Sequence, residues 1–271
     1  QGIKDIFLTT LLPRTFRTIS TIVLIGLSVL VHSIDFVCAD ELTTGIIGAL
    51  DVEVQPVISE LTNAEEHIFE GIKFYAGKFN GRRIVVVATG VGKVNAAVAT
   101  SLLIEHFKPD EIISTGTAGA INPSLMPGDI VIGMKTAQYD LGTTNEKGII
   151  TPRGVKNSLF GNRNPHFFPA GFRLTDAAET AAKKLRLNLK ESDRGKRSPK
   201  ILKGIIVSGD MFIASPTKKK ALRQDFLADA VEMEAAAAAQ VCWQRGVAYL
   251  AVRAISDMAD TMASDDFGKS H

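Results

Sequence analysis

The sequence predicts one α/β domain in three layers, with helices covering both faces of a central mixed, mainly parallel sheet. Three observations carry that prediction. The apolar runs are unbroken rather than alternating, as in strands buried on both faces. Along the chain these runs alternate with segments of helical periodicity. And 271 residues at 45% hydrophobic and 22% charged suffice for one deep core, while excluding disordered, collagenous and disulfide-scaffold chains. A net charge of +2 singles out no polyanionic partner.

Taken in order, 45–50 (GIIGAL) reads as a buried strand and 52–61 as a helix. Segments 69–79 and 83–88 form a strand pair around Asn80-Gly81, a strong hairpin signal. Val94, Ala97, Val98, Ser101, Leu102 and Glu105 make a small or apolar stripe at helical spacing. Strands follow at 111–115 and 129–134, then a polar stretch over 142–170. A helix near 175–187, a strand at 204–208 and a short strand at 230–232 come next. An Ala-rich helix at 234–243 and a last buried strand at 248–256 complete the alternation. There is no internal repeat and no long linker.

The segment before this domain has a different pattern. Lys4, Arg14 and Arg17 precede an uncharged, mostly apolar run over 19–31, and Val37-Cys38-Ala39 offers a small-residue cleavage site. That order predicts a secretory leader over 1–39 and an exported protein, periplasmic or secreted, with an uncleaved membrane anchor as the alternative. The run is shorter than the roughly 20 residues a spanning helix needs. The domain then covers 40–271, and Cys242 is its lone cysteine, so the fold is expected to stand without an internal disulfide.

Ligands of open α/β sheets sit at the carboxyl ends of the strands. Asp51 and Glu53 follow the first strand, and Gly116-Thr117-Ala118-Gly119 follow the strand ending at Thr115. Gly209-Asp210-Met211-Phe212 follow the strand ending at Ser208. Glu232, Met233 and Glu234 surround the short strand, and the last carries Arg253 and ends in Ser256-Asp257. Other chemistries lack their motifs. Thr89-Gly90-Val91-Gly92-Lys93 is an incomplete phosphate loop, Gly90-Val91-Gly92 lacks the third glycine of a dinucleotide fingerprint, and no G-x-S-x-G elbow occurs. The five histidines have no metal-ligand spacing, so neither metal nor other cofactor is expected. What remains is carboxylate chemistry, in which one carboxylate activates water while another protonates a leaving group. For an Asp to serve as that acid near neutral pH its pKa must rise by roughly 3 units. Asp257, at the end of an apolar strand, is suitably placed.

The blocks IIGALDVEV, TGVGKVNAA, STGTAGAI, GDIVI, IVSGDMFI, VEMEAAAAAQVC and VRAISDMAD, in this order, resemble the 5′-methylthioadenosine/S-adenosylhomocysteine nucleosidases. The likeness runs from about 44 to 267. It implies a nucleoside-phosphorylase-like fold and hydrolysis of the N-glycosidic bond of 5′-substituted adenosines, including 5′-deoxyadenosine, with release of adenine. By the resemblance, Glu53 activates the attacking water and Asp257 protonates adenine N7. Glu234 holds the ribose hydroxyls with Met233 against the sugar. Phe212 and Ile213 form the adenine site, and Thr117, Ala118 and Gly119 the small-residue turn, with Thr117 where the family carries Ser. Arg253 lies near the water and ribose, while Leu50, Val91 and Phe267 line the pocket for the 5′ substituent. A homodimer is implied as well, and no nucleic-acid partner.

Three features depart from that family. It is cytoplasmic, whereas this chain carries a leader-like segment. A polar insert over 143–165 replaces the aromatic-rich stretch that a dimer partner lends to the tail pocket. The chain also stops four residues after Phe267, so the C-terminal helix expected beyond it is missing from the sequence.

Two alternatives stay open. A phosphate-dependent nucleoside phosphorylase would share the fold, but no Lys or Arg occurs between Gly45 and Ile68 to hold phosphate beside Glu53. Residues 183–203 hold nine Lys/Arg against Glu191 and Asp193, and Lys218, Lys219, Lys220 and Arg223 add a second cluster. That face could serve weak polyanion or glycan binding, or simply be a solvated surface.

Overall fold

The computed structural model describes residues 42–144, 146, 150–152, 154–157, 163–185 and 197–270. The leader-like segment 1–39 lies outside the described residues, as do most of the basic run at 183–203 and part of the polar stretch at 142–170.

The chain opens with strand β1 (Thr43–Gly48), buried along its whole length, and helix α1 (Asp51–Ser59). An antiparallel meander follows, β2 (Thr62–Phe69), β3 (Ile72–Phe79) and β4 (Arg82–Ala88). Its second turn is the expected one: Asn80 and Gly81 both take positive φ, 51° and 82°, as a tight hairpin turn requires. Helix α2 (Lys93–Phe107) leads into β5 (Glu111–Ala120) and β6 (Ile130–Gln138). The polar stretch forms short strands β7 (Gly142–Thr144), β8 (Ile150–Pro152) and β9 (Phe168–Pro169). Then come α3 (Phe172–Lys184), β10 (Ile201–Ser208), α4 (Pro216–Phe226) and β11 (Ala230–Glu232). The chain ends with α5 (Ala235–Arg245), β12 (Ala248–Asp257) and α6 (Ala263–Ser270). Phe267 is therefore carried on a helix that begins four residues before it.

Ten strands form one mixed sheet in the order β11-β10-β6-β12-β5-β1-β4-β3-β2, with β9 on β6. The pairs β10–β6, β12–β5, β5–β1 and β1–β4 are parallel. A further antiparallel pairing of β11 with β5 closes five strands (β5, β12, β6, β10 and β11) into a ring. The carboxyl ends of β5, β10, β11 and β12 are thereby drawn together.

The period-2 geometry of strands divides the core into two layers. Ile46, Ile84, Val86 and Ile113 face α1 and α3, where Val54, Val57, Leu174 and Ala177 meet them. Their neighbours Ile47, Val85, Val87 and Ile112 face α2 and α5, meeting Leu103, Phe107, Ala238 and Cys242. Helix α4 covers the ring end with Leu222 and Phe226.

Two of the elements beyond the sequence expectation are β2 and α4. Strand β2 joins β3 through Glu70 and Gly71, both at positive φ; as an edge strand with mostly exposed side chains it has no apolar alternation to betray it. Helix α4 starts at a Ser215 cap that accepts a hydrogen bond from Lys218 N, with Pro216 just inside, a start signal that the sequence does contain.

Candidate active site

A cleft of about 570 Å³, solvent at its mouth included, opens where these strand ends converge. Its wall brings together Leu50, Glu53, Val91, Thr117, Ala118 and Gly119 from the first half of the chain. From the second half come Phe212, Ile213, Met233, Glu234, Asp257 and Phe267. Of the residues to which the resemblance gives a site role, only Arg253 is not part of the wall. Met211, Glu232 and Ser256, strand-end residues in the sequence, also line it, as do Ala49 and Val231.

Glu53 is the third residue of α1 and folds back over the helix start. Its Oε2 accepts the backbone N–H groups of Ala49 and Leu50 at 2.8 and 3.0 Å. Its Oε1 accepts the N–H of Thr117 at 3.1 Å and its hydroxyl at 3.4 Å. The carboxylate thus spans from α1 to β5, at a helix N-terminus where negative charge is favoured. Gly116 permits the approach, since a Cβ there would lie 2.9 Å from Oε1.

Asp257 closes β12. A bulge between Ile255 and Asp257 sets it opposite Gly119 of β5, re-aiming the side chain as bulges at strand ends do. It is 2% exposed. Oδ1 accepts the N–H of Ala259, and Oδ2 lies 2.8 Å from the Ser256 hydroxyl. Ala259 takes φ 50°, rare for a residue with a Cβ, and so wraps the backbone around this carboxyl. Burial raises the Asp257 pKa above its ordinary value, against the pull of these two hydrogen bonds.

Glu234 sits at the start of α5. Its Oε1 accepts Gly92 N–H at 2.7 Å, which ties the start of α5 to the start of α2. Its pKa is raised, first by burial and next by the neighbouring Glu232. Glu232 is itself heavily engaged. Its Oε2 accepts the N–H groups of Glu234 and Ala235 and the Arg253 guanidinium at 2.7 Å, and its Oε1 takes the Ser208 hydroxyl. Arg253, also 2% exposed, spends its other donors on Ser114. Sequence reading places Arg253 beside the water and ribose. Its side chain does not line the cleft; it holds Glu232, which does, and lies within electrostatic reach of Glu53 and Glu234.

The opposite wall is a loop, 209–213, after β10. Phe212 is 44% exposed and meets Phe267 edge to face, ring centres 5.6 Å apart. Among the described residues none donates to or accepts from the backbone of Phe212 or Ile213, and both residues line the cleft. Leu50, Val91, Met211 and Phe267 supply apolar surface around it.

The arrangement offers one carboxylate at a helix start, a second buried and protonation-prone, and a third, Glu234, on the same cleft lining. Such a set can activate water, deliver a proton and hold a polyol.

Residues 43–270 match the family model described as the phosphorylase superfamily. A 5′-methylthioadenosine/S-adenosylhomocysteine nucleosidase of Psychromonas ingrahamii is 39% identical over 216 residues, covering 79% of this chain and 85% of the relative. Another, of Shewanella sp. (strain MR-7), is 38% identical over 224 residues, covering 82% and 87%. Among solved structures, the Neisseria meningitidis nucleosidase in complex with methylthio-immucillin-A superposes with a TM-score of 0.71 at 34% identity, covering 84% of this chain and 90% of that one. The futalosine hydrolase of Helicobacter pylori gives 0.71 at 27%, with 84% and 90% covered.

Proposed function

The chain belongs to the 5′-methylthioadenosine/S-adenosylhomocysteine nucleosidases of the phosphorylase superfamily, N-glycosidic hydrolases, and from that premise we propose that Glu53, Asp257 and Glu234 divide the chemistry. Water attacks C1′ of the sugar and gives a proton to Glu53. The C1′–N9 bond breaks, and Asp257 delivers its proton to N7 so that adenine departs neutral. Glu234 accepts hydrogen bonds from the vicinal hydroxyls, countering the positive charge that develops on the ring. The observation that carries this division is the contrast between two carboxyls. Glu53 is filled with donors on both oxygens, the setting of a base. Asp257 is buried with a raised pKa, the setting of an acid.

Water is favoured over phosphate as nucleophile. Phosphate is drawn to free N–H groups at helix starts, yet Gly92 N donates to Glu234 and Lys93 N to Asp210. The incomplete phosphate loop is thus occupied by the chain's own carboxylates, and Glu53 lies across the end of β1.

The test is adenine release from 5′-methylthioadenosine and from S-adenosylhomocysteine, with and without phosphate. Release independent of phosphate supports the hydrolase, and strict dependence on phosphate would overturn it.

We further propose that the protein pairs as a homodimer through the start of α2. Val91 on the cleft wall continues into Val94 and Val98, which are 46, 72 and 47% exposed, an apolar stripe on one helix face. Light scattering of the purified protein would read a dimer, and a monomer at assay concentration would refute it.

A further inference from the structure

The base-side loop is the least self-supporting part of the cleft, and a group of residues outside the reacting constellation holds it. Tyr139, at the end of β6, is 1% exposed. Its hydroxyl donates to the Met211 carbonyl at 3.0 Å, and its ring lies where a Cβ at Gly209 would have to go. Burial raises the Tyr139 pKa far above ordinary phenol values, so the hydroxyl keeps its proton and remains a donor. Asp140, the next residue, accepts the Asp210 N–H at 3.0 Å through one oxygen and the Lys93 ammonium at 2.6 Å through the other. Lys93 closes the circuit, because its own N–H donates to the Asp210 carboxylate at 2.7 Å. Lys93 and Asp140 side chains are each 16% exposed, so solvent screens this pair less than a surface ion pair.

The chain of contacts has a defined reach. It runs from the end of β6 through Asp140 to Asp210, Met211 and the start of α2. The next N–H on that same helix start, Gly92, holds Glu234. The base-side loop and the sugar-binding carboxylate therefore share one anchor.

We infer that Tyr139, Asp140 and Lys93 are positioning residues for recognition of the adenine ring, setting loop 209–213 at the distance from Glu234 that one nucleoside spans. The inference rests on the nucleosidase reading in assuming that adenine occupies this loop. None of the three touches the reacting atoms. Their contribution is to hold Phe212 and Ile213 in a ready conformation, so that binding does not have to order the loop first. Their loss should weaken everything that carries the base and do little to bond cleavage once the site is filled.

Titration calorimetry with free adenine, which needs no turnover, reads this directly in the full protein. Asp140→Asn keeps the shape but removes the charge facing Lys93, and Tyr139→Phe removes only the hydroxyl. Adenine should bind about tenfold more weakly to Asp140→Asn, the equivalent of about 1.4 kcal/mol, and roughly threefold more weakly to Tyr139→Phe. KM for 5′-methylthioadenosine should rise in step, while kcat falls by less than about threefold. Wild-type adenine affinity in either folded variant, or a loss confined to kcat, would overturn the inference. If Asp140→Asn fails to fold, Tyr139→Phe alone decides. Wild-type protein that binds adenine but releases none from the nucleoside would sink the nucleosidase reading and leave this one standing. Wild-type protein that does not bind adenine would sink this inference, while adenine release would still decide the nucleosidase reading.

Discussion

The two walls of the cleft are built by opposite strategies. On the carboxylate side, Glu53, Glu232, Glu234 and Asp257 stand on strand ends and helix starts, and every one has its carboxylate oxygens engaged by the chain. On the base side, Met211 and Phe212 belong to a loop and are 50 and 44% exposed. Chemistry is thus preorganised on rigid elements, where a misplaced donor would cost rate. Recognition is left to a surface that must open to admit and release a planar ring. The buried wall is also where the fold sacrifices stability, because carboxylates without full charge compensation are expensive to bury.

Substitutions on the two walls should therefore fail in different ways. The largest effect falls on the acid and the base. Asp257→Asn and Glu53→Gln should each lower kcat for adenine release by about 100- to 10,000-fold, with KM changed little, as steady-state kinetics on folded protein would show. Losses limited to KM would erase the distinction between the walls.

On the carboxylate side, Arg253→Met leaves Glu232 buried without its cation. Breaking such a pair costs about 3–5 kcal/mol, and chemical denaturation should register that loss even though Arg253 itself does not line the cleft. A variant as stable as wild type would mean that Glu232 needs no partner there.

On the other wall, Phe212→Ala should raise KM about tenfold, within the roughly 1–3 kcal/mol that base stacking is worth. Its half-exposed ring contributes little to the core, so the melting temperature should hardly move. A fall in kcat of the size seen for Asp257→Asn would place Phe212 in the chemistry.

The smallest effect is a gain. Burial raises the pKa of Glu234, so the folded state binds its proton more tightly than the unfolded chain does. Its contribution to stability is then fully present below the ordinary carboxylate pKa and is lost as pH rises through the raised value. Glu234→Gln removes that loss. The variant should match wild type near pH 4 and melt on the order of 5 °C higher at pH 8, with activity impaired. A difference that shrinks toward high pH would reverse the sign and refute burial as the cause.

The same division governs how far the sequence reveals these walls. Strand-end carboxylates are legible because unbroken apolar runs mark β1 and β12, and the residues just past each run must stand at the sheet rim. Helix α2 is legible from its stripe, and the Asn80-Gly81 turn from its chemistry. Strand β2 is not, since its side chains face solvent and carry no period. Helix α4 is announced only by Ser215-Pro216, ahead of a run of lysines that reads as surface charge. Least legible are the long-range pairings. Arg253 stands in a segment that resembles a substrate-binding motif, but nothing local in that segment announces its bonds to Glu232 and Ser114. Tyr139 has no local signal for its bond to Met211, 72 residues away. Periodicity reports which face a residue takes. It does not report which distant partner claims its side chain.

The division of labour between Glu53 and Asp257 is tested most directly by changing the leaving group. On the proposed division, Asp257 is needed because adenine is a poor leaving group until N7 is protonated, whereas a nitrophenolate departs without a proton. Rates for wild type, Glu53→Gln and Asp257→Asn would be compared on 5′-methylthioadenosine and on the matching 4-nitrophenyl 5-methylthioriboside. The expected result is that Asp257→Asn loses at least about 100-fold on the adenine substrate but less than about tenfold on the nitrophenyl one, while Glu53→Gln loses activity on both. Equal losses for Asp257→Asn on the two substrates would contradict its role as the acid.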